Sequence, residues 1–523
     1  MKKLCRVIFS RYFITAVISV AELVMLALLL SYASSYSYVF LIVSAALNIM
    51  VVLSLISRDI NPEFKVSWLV VTLFIPVFGS MLYVMFYSRR MSKREARLTD
   101  EISRALIDCG SGERTDKALC ALAAKSPSAA GRARSILKDD IYAELFCGGD
   151  IKYYDSAEDM YSSMLRDLSS AERYIFMEYF IIEDGVMWQG IFDILKIKAA
   201  EGVDVRLLYD DIGCMRTLPR GFASQLSAVG ISCLCFGRVT PLLVANNNNR
   251  DHRKITVIDG EIAYTGGANI ADEYINEKCR FGHWKDGGVR VCGSCAKGFT
   301  RLFLSSFFLA LGRVDMSLIP SDTDGSISEK AREPSPVYSF EDFFIPFGDG
   351  PAPLSPEYTS KNAFMNIINQ SQSYLYITTP YLIVDYDLSE ALCSAAKRGV
   401  DVRIITPGIP DKKIVKIMTK SSYPRLISGG VRIFEYAEGF IHGKLMVADG
   451  ENAIVGTVNL DYRSLVHHFE NGLWIYGSAE ITEMRDCFLR TLALCREIDK
   501  RSAKLSIFER LVRAIVRIFS PLL

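Results

Sequence analysis

Apolar positions are distributed along this chain in three ways, and each predicts a different kind of structure. Between residues 12 and 87 they form long unbroken runs, at about 12–31, 38–56 and 67–87. Each run approaches the roughly 20 residues that cross a hydrocarbon core about 30 Å thick, so residues 1–87 read as a membrane anchor of two or three transmembrane segments. Glu22 lies inside the first run, where an ionised carboxylate is costly, and Pro76 interrupts the third. Lys2, Lys3, Arg6 and Arg11 precede the first run, and Arg89, Arg90, Lys93, Arg94 and Arg97 follow the third. The positive-inside rule places both clusters in the cytoplasm, which three complete crossings would not allow.

Residues 88–138 are polar and rich in Ala and Arg, and read as a helical connector. Beyond them, short strand-like apolar runs alternate with amphipathic helical stretches, the pattern of an α/β architecture. The segment 320–336, PSDTDGSISEKAREPSP, reads as a linker between a domain at 139–319 and another at 337–500. At 501–523 the pattern changes again. Ile507, Leu511, Ile515 and Ile518/Phe519 share one helical face, with Arg510, Arg513 and Arg517 elsewhere. Such a basic amphipathic helix suits an anionic membrane interface.

The two central domains resemble one another. Gly202-Val203-Asp204-Val205-Arg206 recurs as Gly399-Val400-Asp401-Val402-Arg403, and Gly230-Ile231 as Gly430-Val431. DHRKITVIDGEIAYTGGANI (251–270) aligns without a gap with IHGKLMVADGENAIVGTVNL (441–460). Three matches in one order at nearly constant offset mark a duplication, and predict two similar units related by an approximate two-fold axis. Composition narrows the function. The formal net charge is +1, with no basic excess for binding nucleic acid. The 13 cysteines are scattered, and the close pairs Cys233/Cys235 and Cys292/Cys295 lack partners at zinc spacing.

Each repeat carries His-x-Lys, four further residues and Asp: His252, Lys254 and Asp259, then His442, Lys444 and Asp449. On a strand, His and Lys two residues apart share a face. These like charges are awkward neighbours unless an anion such as a phosphodiester lies between them. Each motif leads into Gly-x-x-Asn, with Asn269 and Asn459. These paired motifs resemble those of the phospholipase D superfamily. The resemblance implies two units, each a mixed β-sheet flanked by helices, whose motifs meet at one active site.

It also implies the chemistry. One histidine attacks phosphorus to form a phosphohistidine and the other serves the alcohols as acid and base, with His252 favoured as nucleophile. Lys254 and Lys444 hold the phosphoryl oxygens, helped by Asn269 and Asn459, and no cofactor or metal is needed. Asp259 and Asp449 support the architecture or orient the histidines. The segment NLDYRSLVHHFENG (459–472) resembles cardiolipin synthases at Asn459, Asp461, Arg463, Ser464, Phe469 and Glu470, with His468 where members often carry Asn. Glu470 and its presumed counterpart Glu178 are expected to accept the second ring proton of the histidines. WKDGGVRV (284–291) and the N-terminal region 61–79 resemble the same synthases.

The resemblance implies that two phosphatidylglycerols give cardiolipin and glycerol at the bacterial cell membrane, by a multi-pass protein with cytoplasmic catalytic domains. Phosphatidylglycerol and cardiolipin are the expected partners, and nucleic acid is not. A phospholipase D-type hydrolase, a transferase with another alcohol acceptor and a silent membrane scaffold are the alternatives.

Overall fold

The computed structural model describes residues 38–58, 61–75, 78–86, 91–107, 111–238, 249–320, 342–351, 354–355 and 357–500, with single positions at 20, 24, 28, 31, 510, 511 and 514. Most of the first apolar run, the linker beyond Pro320 and, apart from Leu511, the apolar face of the C-terminal helix lie outside these residues.

The N-terminal unit holds the helices Tyr38–Ser57, Pro62–Phe74 and Phe78–Phe86. Asn61 caps the second, its Oδ1 accepting from Glu63 N at 2.9 Å, and Pro62 stands at the first helical position, where no N–H is needed. Val51, Leu55, Trp68, Val71 and Tyr83 form the core. Where Phe78–Phe86 crosses Pro62–Phe74, a Cβ on Gly79 would lie 2.3 Å from the Val71 carbonyl oxygen, so only glycine fits. The third apolar run is thus not one continuous span. Its first helix stops at Phe74, and Ile75, which precedes proline, leaves the helical region at φ −125° and ψ 74°. At 13 and 9 residues the two pieces reach only about 20 and 14 Å. Tyr38–Ser57 has side chains described only at Ile42 and from Ala45 onward. Among the described residues, no helix is long and apolar enough to cross a membrane.

The catalytic unit, Met91–Phe236 and Arg250–Lys504, is α/β. It opens with the helices Lys93–Ile107, Ser111–Lys125 and Pro127–Asp139. The first packs against the helix Ala296–Leu311 and the third against the helix Thr359–Gln370, so the stretch read as a connector is built into the unit. The first nine strands are β1 (Phe146–Cys147), β2 (Asp150–Tyr154), β3 (Tyr174–Tyr179), β4 (Asp204–Asp210), β5 (Ser232–Phe236), β6 (Lys254–Ile258), β7 (Ile262–Gly266), β8 (His283–Lys285) and β9 (Gly288–Cys292). The second nine are β10 (Phe343–Asp349), β11 (Tyr374–Thr378), β12 (Asp401–Pro407), β13 (Arg432–Tyr436), β14 (Gly439–Ile441), β15 (Leu445–Ala448), β16 (Asn452–Gly456), β17 (Glu470–Tyr476) and β18 (Cys495–Ile498).

One sheet has the order β2-β9-β7-β6-β3-β4-β5 and the other β1-β10-β17-β16-β15-β11-β12-β13-β18. Without the edge strands β1 and β18 the two orders coincide. Parallel β3-β4-β5 matches β11-β12-β13, and β6 runs antiparallel beside β3 as β15 does beside β11. The duplication is therefore one of fold. Strand β1 precedes the first sheet in sequence yet pairs with β10 of the second, closing an edge that would otherwise expose unpaired amides. The helix Ala296–Leu311 packs against β3 and β6 of one sheet and β10 of the other, with Phe299, Phe303, Phe307 and Phe308 fully buried.

The aspartates of the two motifs perform one local task. Asp259 and Asp449 lie at the turn after β6 and β15, left-handed at φ 54° and 56°, each followed by a left-handed glycine, as a tight Asp-Gly hairpin requires. Asp259 accepts from the N–H groups of Glu172, Arg173 and Tyr174 at 2.7–2.9 Å. Asp449 accepts from Gln372, Ser373 and Tyr374 at 2.8–3.0 Å. Each carboxylate pins the turn to the entry of the neighbouring strand and takes no part in the site. Asp449→Ala strips three amides of an acceptor and forces alanine into the left-handed region. It is expected to cost about 1–3 kcal/mol, seen as a lower melting temperature of the full chain in detergent; an unchanged melting curve would show the clamp to be dispensable.

Candidate active site

Regular pairing begins at Lys254 in the first repeat and at Leu445 in the second, so each His-x-Lys lies at the mouth of a central strand rather than within it. The backbone there is short of partners from its own half and finds them in the other. His252 N donates to the Phe469 carbonyl and Phe469 N to the Arg250 carbonyl, both at 2.8 Å. His442 N donates to the Lys285 carbonyl at 2.7 Å, just beyond the point where β14 pairs in parallel with β8. The side chains follow the same exchange. His252 Nδ1 lies 2.9 Å from both carboxylate oxygens of Glu470, and His442 Nδ1 lies 2.7 Å from Asp286 Oδ2. Each histidine is carried by one repeat and gripped by the other.

The four motif residues are buried, His252 at 8%, Lys254 at 1%, His442 at 7% and Lys444 at 6% exposure. Lys254 Nζ donates to the carbonyl of His252 at 2.7 Å. Lys444 Nζ donates to the carbonyl of His442 at 2.5 Å and lies 2.9 Å from both ring nitrogens of that histidine.

Burial takes the His252 imidazole down to about 3, Lys254 adding to the shift and Glu470 opposing it. Burial also takes His442 down to about 4, with Lys444 adding and Asp286 opposing. Lys254 falls to about 8 and Lys444 to about 7, again first through burial, against the pull of nearby carboxylates. For the acids burial pushes upward, yet His252 and His468 hold Glu470 well below the usual carboxylate range, and His442 and Lys444 hold Asp286 below it. The charges reach across the repeats: Lys254 disfavours the cationic forms of His442 and Lys444, while Glu470 and Asp286 favour the charged form of both lysines. The two motifs form one electrostatic site, and an anion held within it would favour the cationic form of all four groups.

With both acids ionised, each Nδ1 is the protonated ring nitrogen, and each Nε2 is left for chemistry. Glu470 accepts from His252 as expected of it, but Glu178 meets neither histidine. Glu178 is fully buried in β3, and its two oxygens have no hydrogen-bond partner among the described residues. Burial and the neighbouring Asp251 hold its carboxyl well above the usual range, so it is an acid inside the first sheet rather than a histidine's acceptor. Asp286 is the true counterpart of Glu470, and a signal for it was present. HWKDGG (283–288) matches HHFENG (467–472), and the pairings Gly266–Gly288 and Gly456–Gly472 put Asp286 and Glu470 at equivalent positions.

The two asparagines stand in different surroundings. Asn269 accepts from Ile181 N at 3.0 Å and donates to the Tyr274 hydroxyl at 2.7 Å, which commits both ends of its amide to the fold. Asn459 is buried, and its Oδ1 has no partner among the described residues. His468, equivalent to Trp284, places its ring 5.5 Å from that of His252.

Comparison with known proteins agrees with this geometry. A family model described as "Cardiolipin synthase, PLD-like domain" matches residues 164–279 and 364–492, and one described as "Phospholipase_D-nuclease N-terminal" matches 46–86. A cardiolipin synthase of Alkalihalophilus pseudofirmus is 31% identical over 88% of this chain and 90% of its own length. One of Geobacillus sp. is 30% identical over 92% of this chain and 93% of its own length. The crystal structure of phosphatidylserine synthase from Haemophilus influenzae superposes with a TM-score of 0.55 at 15% identity, covering 75% of this chain and 97% of that one, a likeness of fold. Two exchanged histidine clamps at one site, in a chain that follows these synthases along nearly its whole length, lead to one assignment: it belongs to the cardiolipin synthase family of the phospholipase D superfamily, enzymes of the phosphatidyltransferase class.

Proposed function

We propose that this enzyme joins two phosphatidylglycerol molecules into cardiolipin, with release of glycerol, through a phosphohistidine on His252. The observation that carries the reading is the single site formed by both His-x-Lys motifs, with a carboxylate of the opposite repeat on each Nδ1. The choice of nucleophile rests on the lysines. Lys444 Nζ crowds both ring nitrogens of His442, whereas Lys254 turns to the His252 carbonyl and leaves His252 Nε2 its lone pair.

In this scheme His252 Nε2 attacks phosphorus, the bond to the glycerol oxygen breaks, and His442 gives that oxygen a proton. The hydroxyl of a second phosphatidylglycerol then passes its proton to His442 and attacks phosphorus, and His252 leaves. Lys254 and Lys444 neutralise the phosphoryl oxygens, so their desolvation is offset when the diester binds. Glu470 and Asp286 fix the tautomers. We place the enzyme at the bacterial membrane, as expected of a protein acting on lipids, with the catalytic unit on the cytoplasmic side, where the cluster Arg89–Arg97 would satisfy the positive-inside rule.

Labelled phosphatidylglycerol in mixed micelles is expected to yield cardiolipin and free glycerol in equal amounts. Phosphatidic acid as the main product would instead mark a hydrolase. His252→Ala and His442→Ala should each lower turnover by about 10²–10⁴-fold in that assay, and a near-normal rate in either rules the two-histidine scheme out. Asp286→Ala is expected to lose about 10²-fold through a misplaced ring, while Glu178→Gln, an isosteric change at a carboxyl that burial pushes well above the usual range, should stay within a few-fold of wild type. Equal losses in the two variants would reverse the assignment of Asp286. Exposed Cys279 should react with an impermeant maleimide from the cytoplasmic face of sealed vesicles; labelling from the opposite face alone overturns the orientation.

A further inference from the structure

His468 has no task in the scheme above, yet it stands beside the proposed nucleophile. Its side chain is nine-tenths buried, at 10% exposure, and its Nδ1 has no hydrogen-bond partner among the described residues. That nitrogen lies 3.6 Å from Glu470 Oε1, too far for a hydrogen bond, while His252 Nδ1 lies 2.9 Å from the same oxygen. One ligand atom from each of His252, His468 and Glu470 falls within 4.8 Å of the other two.

We infer that these three residues form a site for a borderline divalent cation, zinc above all, and that filling it switches the enzyme off. Two imidazoles and a carboxylate are a zinc donor set. With metal–ligand bonds of about 2.0–2.2 Å, neighbouring ligand atoms of a tetrahedral shell stand roughly 3.4 Å apart. The 2.9 and 3.6 Å separations bracket that value and the third, between the two histidines, is within 4.8 Å, so side-chain rotations that draw the rings together complete three corners and leave the fourth for water. The equivalent corner of the other repeat holds Trp284, 5.5 Å from the His442 ring, and offers no third ligand.

Inhibition follows from the tautomer, and the inference rests in this on the reading of His252 as nucleophile. When Glu470 accepts the Nδ1 proton, His252 Nε2 keeps its lone pair. Zinc on Nδ1 takes the lone pair there, and the one proton of the neutral ring moves to Nε2. No lone pair remains to attack phosphorus. Zinc also withdraws Glu470 as the acceptor that orients the ring.

The test uses the purified full chain with its accessible thiols alkylated, Cys120 and Cys279 being the exposed ones among the described residues, so that they do not compete for metal. Equilibrium dialysis against zinc chloride measures binding, and cardiolipin formation is measured with and without zinc. Wild type should hold one zinc per chain and lose at least tenfold of its rate, reversibly with a chelator. His468→Asn, which installs the residue frequent in cardiolipin synthases, should bind at least tenfold more weakly and, relative to its own metal-free rate, resist inhibition at the same zinc concentration. The site is refuted if wild type keeps its rate with zinc bound at saturation, if it binds no zinc, or if His468→Asn binds zinc and is inhibited as wild type is. Binding is measured without turnover, so failure to make cardiolipin would count against the proposed reaction and leave the metal site separately decided.

Discussion

The interaction on which the rest of this structure depends is the exchange of histidine supports between the repeats. His252 hangs from the Phe469 carbonyl and the Glu470 carboxylate, and His442 from the Lys285 carbonyl and the Asp286 carboxylate. Neither repeat builds a finished histidine alone. The meeting of the two repeats is thus a condition of the site, because separating them would take from each imidazole the carboxylate on its Nδ1. The surroundings hold this exchange in place. Arg253, between the first histidine and lysine, is fully buried and donates to the Glu470 carbonyl at 3.1 Å and to the Leu302 carbonyl at 3.0 Å. It ties the first motif at once to the strand bearing Glu470 and to the helix between the sheets.

The same exchange explains how an unfavourable collection of charges is held. Two lysines and two histidines share one desolvated site, and burial presses each toward its neutral form. Glu470 and Asp286 oppose this without removing it. What remains is a site whose four groups would regain their charged forms beside an anion.

The repeats have kept their topology and diverged in what surrounds each imidazole. His442 is enclosed by Tyr274, Trp284 and Phe440, with ring centroids 5.5–5.8 Å away, whereas His252 meets Phe180 at 5.1 Å and His468 at 5.5 Å. Lys444 lies against its histidine ring, and Lys254 does not. Two copies of one motif therefore stand in different settings.

Much of this was legible in the amino-acid sequence, because its signals are local or repeated. Alternating apolar strands, the recurring Gly-Val-Asp-Val-Arg and the paired His-x-Lys motifs revealed the duplication, the α/β class and the four central residues. The supporting role expected of Asp259 and Asp449 takes its form from the Asp-Gly turn that follows each strand. Only the tertiary structure decided which carboxylate serves which histidine. Asp286 lies 156 positions from His442, and although HWKDGG parallels HHFENG, the sequence does not say whether each carboxylate reaches the histidine of its own repeat or of the other. The difference arises because Glu470, at the start of β17, and Asp286, just before β9, meet the histidine of the opposite repeat, while Glu178 on β3 is buried inside its own sheet. Residue types are written along the chain, but the identity of a proton acceptor depends on which strands are brought face to face, and that is settled by packing over long separations.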